Sequence, residues 1–220
     1  MKRHALILLG CLLLMLPLRA ERLSLSGIWN FRMDPENQGI QEQWFARDIT
    51  GDTMELPGSM PERLKGYDIS LTTPWTGSIY DSSYYYNARL EKYRRPGNIK
   101  IPFMLTPEKH YVGAAWYQRK VTVPAGWKKQ RVTLYLERVH MESHLWVDGV
   151  DAGTCNSLGM PHVYDLTQLL TPGEHVLTLR IDNDMSRIVD VGLNSHSVTD
   201  QTQGNWNGVV GRMLLSSTPE

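Results

Sequence analysis

His144-Leu-Trp-Val-Asp-Gly-Val-Asp-Ala-Gly153, and just before it Arg131-Val-Thr-Leu-Tyr-Leu-Glu137, decide the fold class. The second stretch alternates, so that Val132, Leu134 and Leu136 point one way and polar neighbours the other, which is the period of a half-buried strand. The first sets Asp148-Gly149 between β-formers, and that dipeptide favours a two-residue hairpin turn. Outward from these the same rhythm repeats. Ser26 to Met33, Thr53 to Leu56, Ala115 to Val123, His162 to Leu166, His175 to Ile181 and Val209 to Leu215 all read as strands. Pro57-Gly58, Pro124 and Pro172-Gly173 punctuate them. No stretch carries a long helical period. Gln41 to Arg47 and Thr167 to Leu170 have room for about a turn or two of helix each. Short strands between Gly/Pro turns predict an all-β protein, a sandwich or jelly roll. Its core is expected to hold Val132, Leu134, Leu136, Trp146, Val176, Leu177, Leu179 and Ile181.

Residues 1–20 read differently. A basic start (Lys2, Arg3, His4), an apolar run from Ala5 to Leu16, and Pro17 to Ala20 ending on a small residue make the pattern of a secretory signal peptide. The run is shorter than the ~20 residues that span a bilayer. Residues 21–220 then form one domain with a real core. They carry 20 basic against 23 acidic residues, a net charge of −3. With no basic arm, nucleic acid is not an expected partner. Cys155 is the lone cysteine after residue 20, so no disulfide forms within the chain. For an exported protein this points to a bacterial periplasm or the cell exterior. Cys155 is expected as a small, partly buried packing residue.

Several chemistries lack their residues. There is no phosphate loop, no dinucleotide fingerprint and no Gly-x-Ser-x-Gly, and no cofactor is expected. His140 and His144 lie four apart on strand-like sequence, ~13 Å along an extended chain and too far to share zinc. They are expected as surface histidines, with no metal site. Glycoside hydrolysis needs two carboxylates ~5–9 Å apart, and no pair is marked out by spacing, Glu137 and Glu142 included. No catalytic residue is assigned.

Two segments remain. Gly58 to His110 is long, irregular and rich in Trp75, Tyr80, Tyr84, Tyr85, Tyr86 and Tyr93, too aromatic for plain disorder. It is expected to be an ordered excursion that packs on the sandwich or meets a ligand or partner. His196 to Arg212 concentrates amides, a carboxylate, glycines and a tryptophan between two apolar strands. Asp200, Asn205, Trp206 and Asn207 are the candidate ligand-binding residues: amides and a carboxylate suit sugar hydroxyls, and an indole suits an apolar sugar face. The alternative is that Trp206 plugs the sandwich and the amides cap strand ends.

Four ordered stretches resemble the N-terminal sugar-binding domain of glycoside hydrolase family two, the β-galactosidase, β-glucuronidase and β-mannosidase family. They are Trp116-Tyr117-Gln118-Arg119 leading to Val123-Pro124-Ala-Gly-Trp127; Arg131 to Val139 followed by Leu145-Trp-Val-Asp-Gly149; Asp165-Leu-Thr167 with Leu170-Thr-Pro172-Gly173; and Thr202-Gln-Gly-Asn-Trp-Asn-Gly-Val-Val-Gly-Arg212, in a form common in Bacteroidetes-type members. The resemblance implies a galactose-binding-like jelly roll beside an immunoglobulin-like domain and a catalytic (β/α)8 barrel that holds both catalytic glutamates. The family's acid/base usually sits in an Asn-Glu dipeptide, which does not occur here. By motif position Asp200, Asn205 and Asn207 would lend polar groups to the rim of the barrel's site. The insertion at 58–110 departs from the shorter family pattern. The expected function is an accessory, carbohydrate-contacting domain of an exported exo-acting β-glycosidase. The alternative is a stand-alone carbohydrate-binding or docking module without catalysis.

Overall fold

The computed structural model describes residues 20–75, 80–100, 107–157, 159–184 and 205–219. The proposed leader therefore lies, but for Ala20, outside the described residues. The strands are β1 (Glu21–Ser24), β2 (Gly27–Asp34), β3 (Asp52–Leu56), β4 (Gly58–Ser59), β5 (Tyr67–Asp68), β6 (Lys109–His110), β7 (Ala114–Val123), β8 (Gln130–His140), β9 (Glu142–Val147), β10 (Val150–Cys155), β11 (His162–Asp165), β12 (Gly173–Asp182) and β13 (Gly208–Pro219). One sheet runs β1-β13-β8-β11, with β4 also on β13. The facing sheet runs β10-β9-β12-β7-β2-β3, and β5 and β6 form a separate ribbon. All neighbours are antiparallel. The protein is a two-sheet jelly roll, as the alternating stretches predict.

Alternation fixes what enters the space between the sheets. Val132, Leu134 and Leu136 from β8 meet Leu177, Leu179 and Ile181 from β12, all buried. The Asp148-Gly149 turn has positive φ at both residues, 50° and 80°, as a tight twisted hairpin demands. Asp148 also accepts from the Val176 amide at 2.7 Å, which ties the turn to β12. Cys155 is half-buried against the same core.

Trp146 and Val176 depart from the expected core. Register explains both: Trp146 sits opposite Thr178 and Trp116 opposite Arg180. Those positions have the opposite parity to Leu177 and Leu179, so they face the outside of the second sheet. Val176 shares that parity and is only half-buried. Trp146 is buried nonetheless, because residues 35–51 fold back over it and form a second small core of Trp44, Ile49, Trp116 and Trp146, with Phe45 at its edge. Phe45 stacks on Trp146 at 5.0 Å and 4°, Trp146 on Trp116 at 5.2 Å, and Trp116 meets Trp44 at 5.8 Å. The Arg32 guanidinium lies 3.6 Å over Trp44.

Polar groups stitch this cover down. The Asp34 carboxylate accepts from the Trp116 indole (2.9 Å) and from the amides of Gln38 and Gly39 (2.8 and 2.9 Å). Gln118 accepts from the Ile49 amide at 2.9 Å and donates to the Arg47 carbonyl and the Thr178 hydroxyl, both at 3.0 Å. The helix expected at Gln41 to Arg47 is a single 3-10 turn, Trp44–Ala46.

The insertion leaves from β4, which pairs with the start of β13, and returns through β6. Besides the β5–β6 ribbon it contains α1 (Ser83–Tyr86) and a 3-10 helix, Ala88–Arg94. No helix among the described residues is long and apolar enough to cross a membrane.

Candidate functional site

One end of the sandwich gathers four side chains from separated parts of the chain: Tyr117 of β7, Asn183 after β12, and Asn205 and Asn207 before β13. Asn207 is fully buried. Its carbonyl accepts from the Tyr117 hydroxyl at 2.8 Å, and its amide donates to the carbonyls of Gly113 (3.0 Å) and Ile181 (2.9 Å). Burial also raises the Tyr117 pKa well above its ordinary value, so the phenol stays a neutral donor.

Asn183 and Asn205 clasp each other. Asn183 donates to the Asn205 side-chain carbonyl at 3.0 Å, and Asn205 donates back to the Asn183 backbone carbonyl at 3.1 Å. Asn183 also donates to the Tyr111 carbonyl and accepts from the Gly113 amide, both at 2.9 Å. Asn183, near the end of one described stretch, is thus tied to Asn205, where the next described stretch begins.

The insertion is rooted at the same end. The Met60 amide donates to the Asn207 backbone carbonyl at 2.8 Å, and Gly208 pairs with Ser59. Gly208 has φ 136°, and a Cβ there would stand 2.4 Å from the Gly58 carbonyl oxygen. Only glycine permits that approach.

Trp206 is half-buried and stacks on the buried His140 ring at 5.0 Å and 21°. Burial pushes the His140 pKa down to about 4, with Asn205 pulling the other way. Among the described residues His140 Nε2 is buried without a hydrogen-bond partner.

These positions revise the residue assignments. Asp200 lies outside the described residues. Asn207 is buried, and its side-chain carbonyl and amide are engaged by Tyr117, Gly113 and Ile181. Asn205 is nearly buried and is chiefly a clasp. Trp206 alone of the three described candidates keeps part of its surface. The expectation of surface histidines is also corrected: His140 is buried, and His144 stacks on Trp146 at 3.8 Å while bonding Asp151 at 2.8 Å. The two belong to different parts of the molecule. Among the described residues no three His, Cys, Asp or Glu side chains come together as a metal site.

Asn183 was missed in sequence. Its signal is the polar trio Asp182-Asn183-Asp184 ending an otherwise apolar strand. Nothing local announces that its partner is 22 residues away.

Fold and buried amide network together define a two-sheet jelly-roll domain closed at one end by asparagines. The chain belongs to the glycosyl hydrolases family 2, sugar binding domain, whose family model matches residues 23–219. It is 23% identical over 160 residues to a β-glucuronidase of Paenibacillus borealis, covering 72% of this chain and 20% of that protein. It is 28% identical over 171 residues to a β-galactosidase of Arthrobacter sp. (strain B7), covering 74% and 16%. Among solved structures, a β-glucuronidase from an uncultured Clostridium sp. superposes with TM-score 0.60 at 22% identity, covering 91% of this chain and 29% of that one. A Ruminococcus gnavus β-glucuronidase gives 0.61 at 16% identity, covering 91% and 28%. The chain thus spans about a fifth of the length of the relatives it matches in sequence.

Proposed function

We propose that this domain serves an exported, exo-acting β-glycosidase, beside an immunoglobulin-like domain and a (β/α)8 barrel that carries the catalytic glutamates. The observation that carries the reading is the family match over nearly the whole folded chain, with relatives several times longer and named for β-glycosidase activity. The leader-like residues 1–20 support export to the periplasm or beyond.

Among the described residues the domain's contribution to the sugar site falls to Trp206, and the sequence motif adds Asp200. Asn205 and Asn207 act behind them as positioning residues. Three features support this. The Asn183–Asn205 clasp delivers Trp206 at a fixed place, Trp206 keeps an open surface, and among the described residues the His140 nitrogen under it is unpartnered. An indole face suits the apolar face of a pyranose.

The test uses a full-length polypeptide carrying this domain and nitrophenyl β-glucuronide, β-galactoside and β-mannoside. Trp206→Ala is expected to lower kcat/KM toward whichever is cleaved while leaving Tm nearly unchanged. Full activity with a lowered Tm would overturn the site. The 220-residue chain alone is expected to turn over none of the three, and turnover tracking it through purification would overturn the accessory role.

A further inference from the structure

Packing does not explain the buried histidine under Trp206. His140 ends β8 and is only 7% exposed, yet among the described residues its Nε2 has no hydrogen-bond partner. A polar nitrogen taken out of water without a partner destabilises a fold. An aliphatic side chain of similar bulk would fill the same space without that penalty. What the imidazole offers instead is a flat face, and the Trp206 indole lies on it at 5.0 Å and 21°.

The backbone on both sides of Trp206 is held by other groups. Asn205 is clasped to Asn183. Asn207 is tied to Tyr117, Gly113 and Ile181, and Gly208 pairs with Ser59 on one side and with His140 on the other. These bonds fix where the Trp206 backbone stands. They leave open how its ring is turned, since side-chain torsions have several staggered wells. The ring plane is set by what the ring rests on. His140 is placed for that task, because its pairing with Gly208 sets it beside the strand entry. The Asn205 side chain acts on the imidazole as an acceptor does, favouring its protonated form. Clasp and stacked rings thus meet in one residue.

We propose that His140 is the positioning residue for Trp206, holding the indole so that the face away from the imidazole is turned to a pyranose. This role rests on Trp206 being the sugar-contacting residue, as proposed above, and His140 itself touches no sugar. A stacking face held in advance loses little freedom on binding. An indole free to turn would bind the sugar more weakly. A stacking contact of this kind is made equally in the ground and transition states, so its loss is read in KM.

The test compares two replacements of similar bulk in a full-length polypeptide carrying this domain, assayed with the nitrophenyl glycoside it cleaves. His140→Phe keeps a flat ring under the indole, and His140→Leu does not. Both remove the unpartnered nitrogen. His140→Phe is expected to keep KM within about twofold of the starting protein. His140→Leu is expected to raise KM about tenfold with kcat nearly unchanged, the effect of losing one modest stacking contact. In a Trp206→Ala background the two replacements should give equal KM, because the ring that His140 positions is gone. Near-ultraviolet circular dichroism of the 220-residue chain gives a second readout that needs no sugar. The Trp206 contribution, taken as the difference from Trp206→Phe, is expected to persist in His140→Phe and to shrink in His140→Leu. Equal KM for the two replacements while Trp206 is present, a KM difference that survives its removal, or a Trp206 signal that persists in both would overturn the proposal. Trp206→Ala lowering kcat/KM while His140→Leu leaves KM unchanged would strike the role of His140 alone. Trp206→Ala without effect on kcat/KM would strike the sugar site, and the role of His140 with it.

Discussion

Two aromatic clusters lie outside the main core, and they have opposite fates. Trp116 and Trp146 sit on the outer face of the second sheet, where residues 35–51 cover them with Trp44 and Phe45. Trp75, Tyr80, Tyr85 and Tyr86 sit on the insertion, and most of them keep their surface. The first group is rich in indole and is closed by Asp34 and Gln118, which satisfy the polar groups of the cover. The second is rich in phenol, whose hydroxyl tolerates water, and its anchoring bonds lie beneath it. Aromatic content alone therefore does not separate covered rings from exposed ones. What separates them is whether a neighbouring segment brings the acceptors needed to close over the rings.

If the contrast is real, its largest consequence is in stability. Trp116→Ala should cost about 3–5 kcal/mol, read by urea denaturation, because it empties the second core and removes one of the donors to the Asp34 carboxylate. A loss below about 1 kcal/mol would mean the cover is only loosely attached. Next comes pH. His140 is neutral when folded, with a pKa near 4 against an ordinary 6.5. As pH falls below 6.5 the unfolded chain takes up a proton that the native chain refuses. Stability is then full above pH 6.5 and should drop by about 3 kcal/mol on reaching pH 4. Burial lowers the His162 pKa too and adds in the same direction. Denaturation midpoints across that window check this, and His140→Gln should flatten part of the slope.

Asn207→Ala should follow at about 2 kcal/mol, since it takes away the acceptor of the buried Tyr117 hydroxyl and one donor from each of the Gly113 and Ile181 carbonyls. An unchanged Tm would return Asn207 to the ligand contacts. The smallest effect belongs to the exposed cluster: Tyr86→Ala should shift stability by no more than about 0.5 kcal/mol. A larger loss would show that the insertion's rings are structural after all.

The strands were legible because alternation is a local property. Val132-Leu134-Leu136 and the Asp148-Gly149 turn need no knowledge of the remainder of the chain. The face of Trp146 was not legible, because two dry faces on one sheet arise only when a remote segment covers the second. Burial of Thr178, Arg180 and Asp182 beside Leu177, Leu179 and Ile181 has the same origin. At the candidate site, composition drew attention to Asp200 to Asn207, of which Asn205 to Asn207 are described. It could not tell amides facing a ligand from amides facing Gly113, Ile181 and Asn183, since both read as polar residues between glycines. Burial and partners decide that, and they come from the far ends of β7 and β12.

The outermost strands have one further consequence. A sheet grows by adding strands to its bare edges, and edge-to-edge growth is how β proteins aggregate. Here β1 and β11 have four residues each and β4 has two. On the second sheet β3 runs five residues and stops at Pro57, while β10 slips register between Asp151 and Gly153. The long strands β8, β12 and β13 are all interior. Among the described residues the outermost strands therefore offer a foreign chain only a few regular rungs. A domain so trimmed can be held at high local concentration without its sheets fusing.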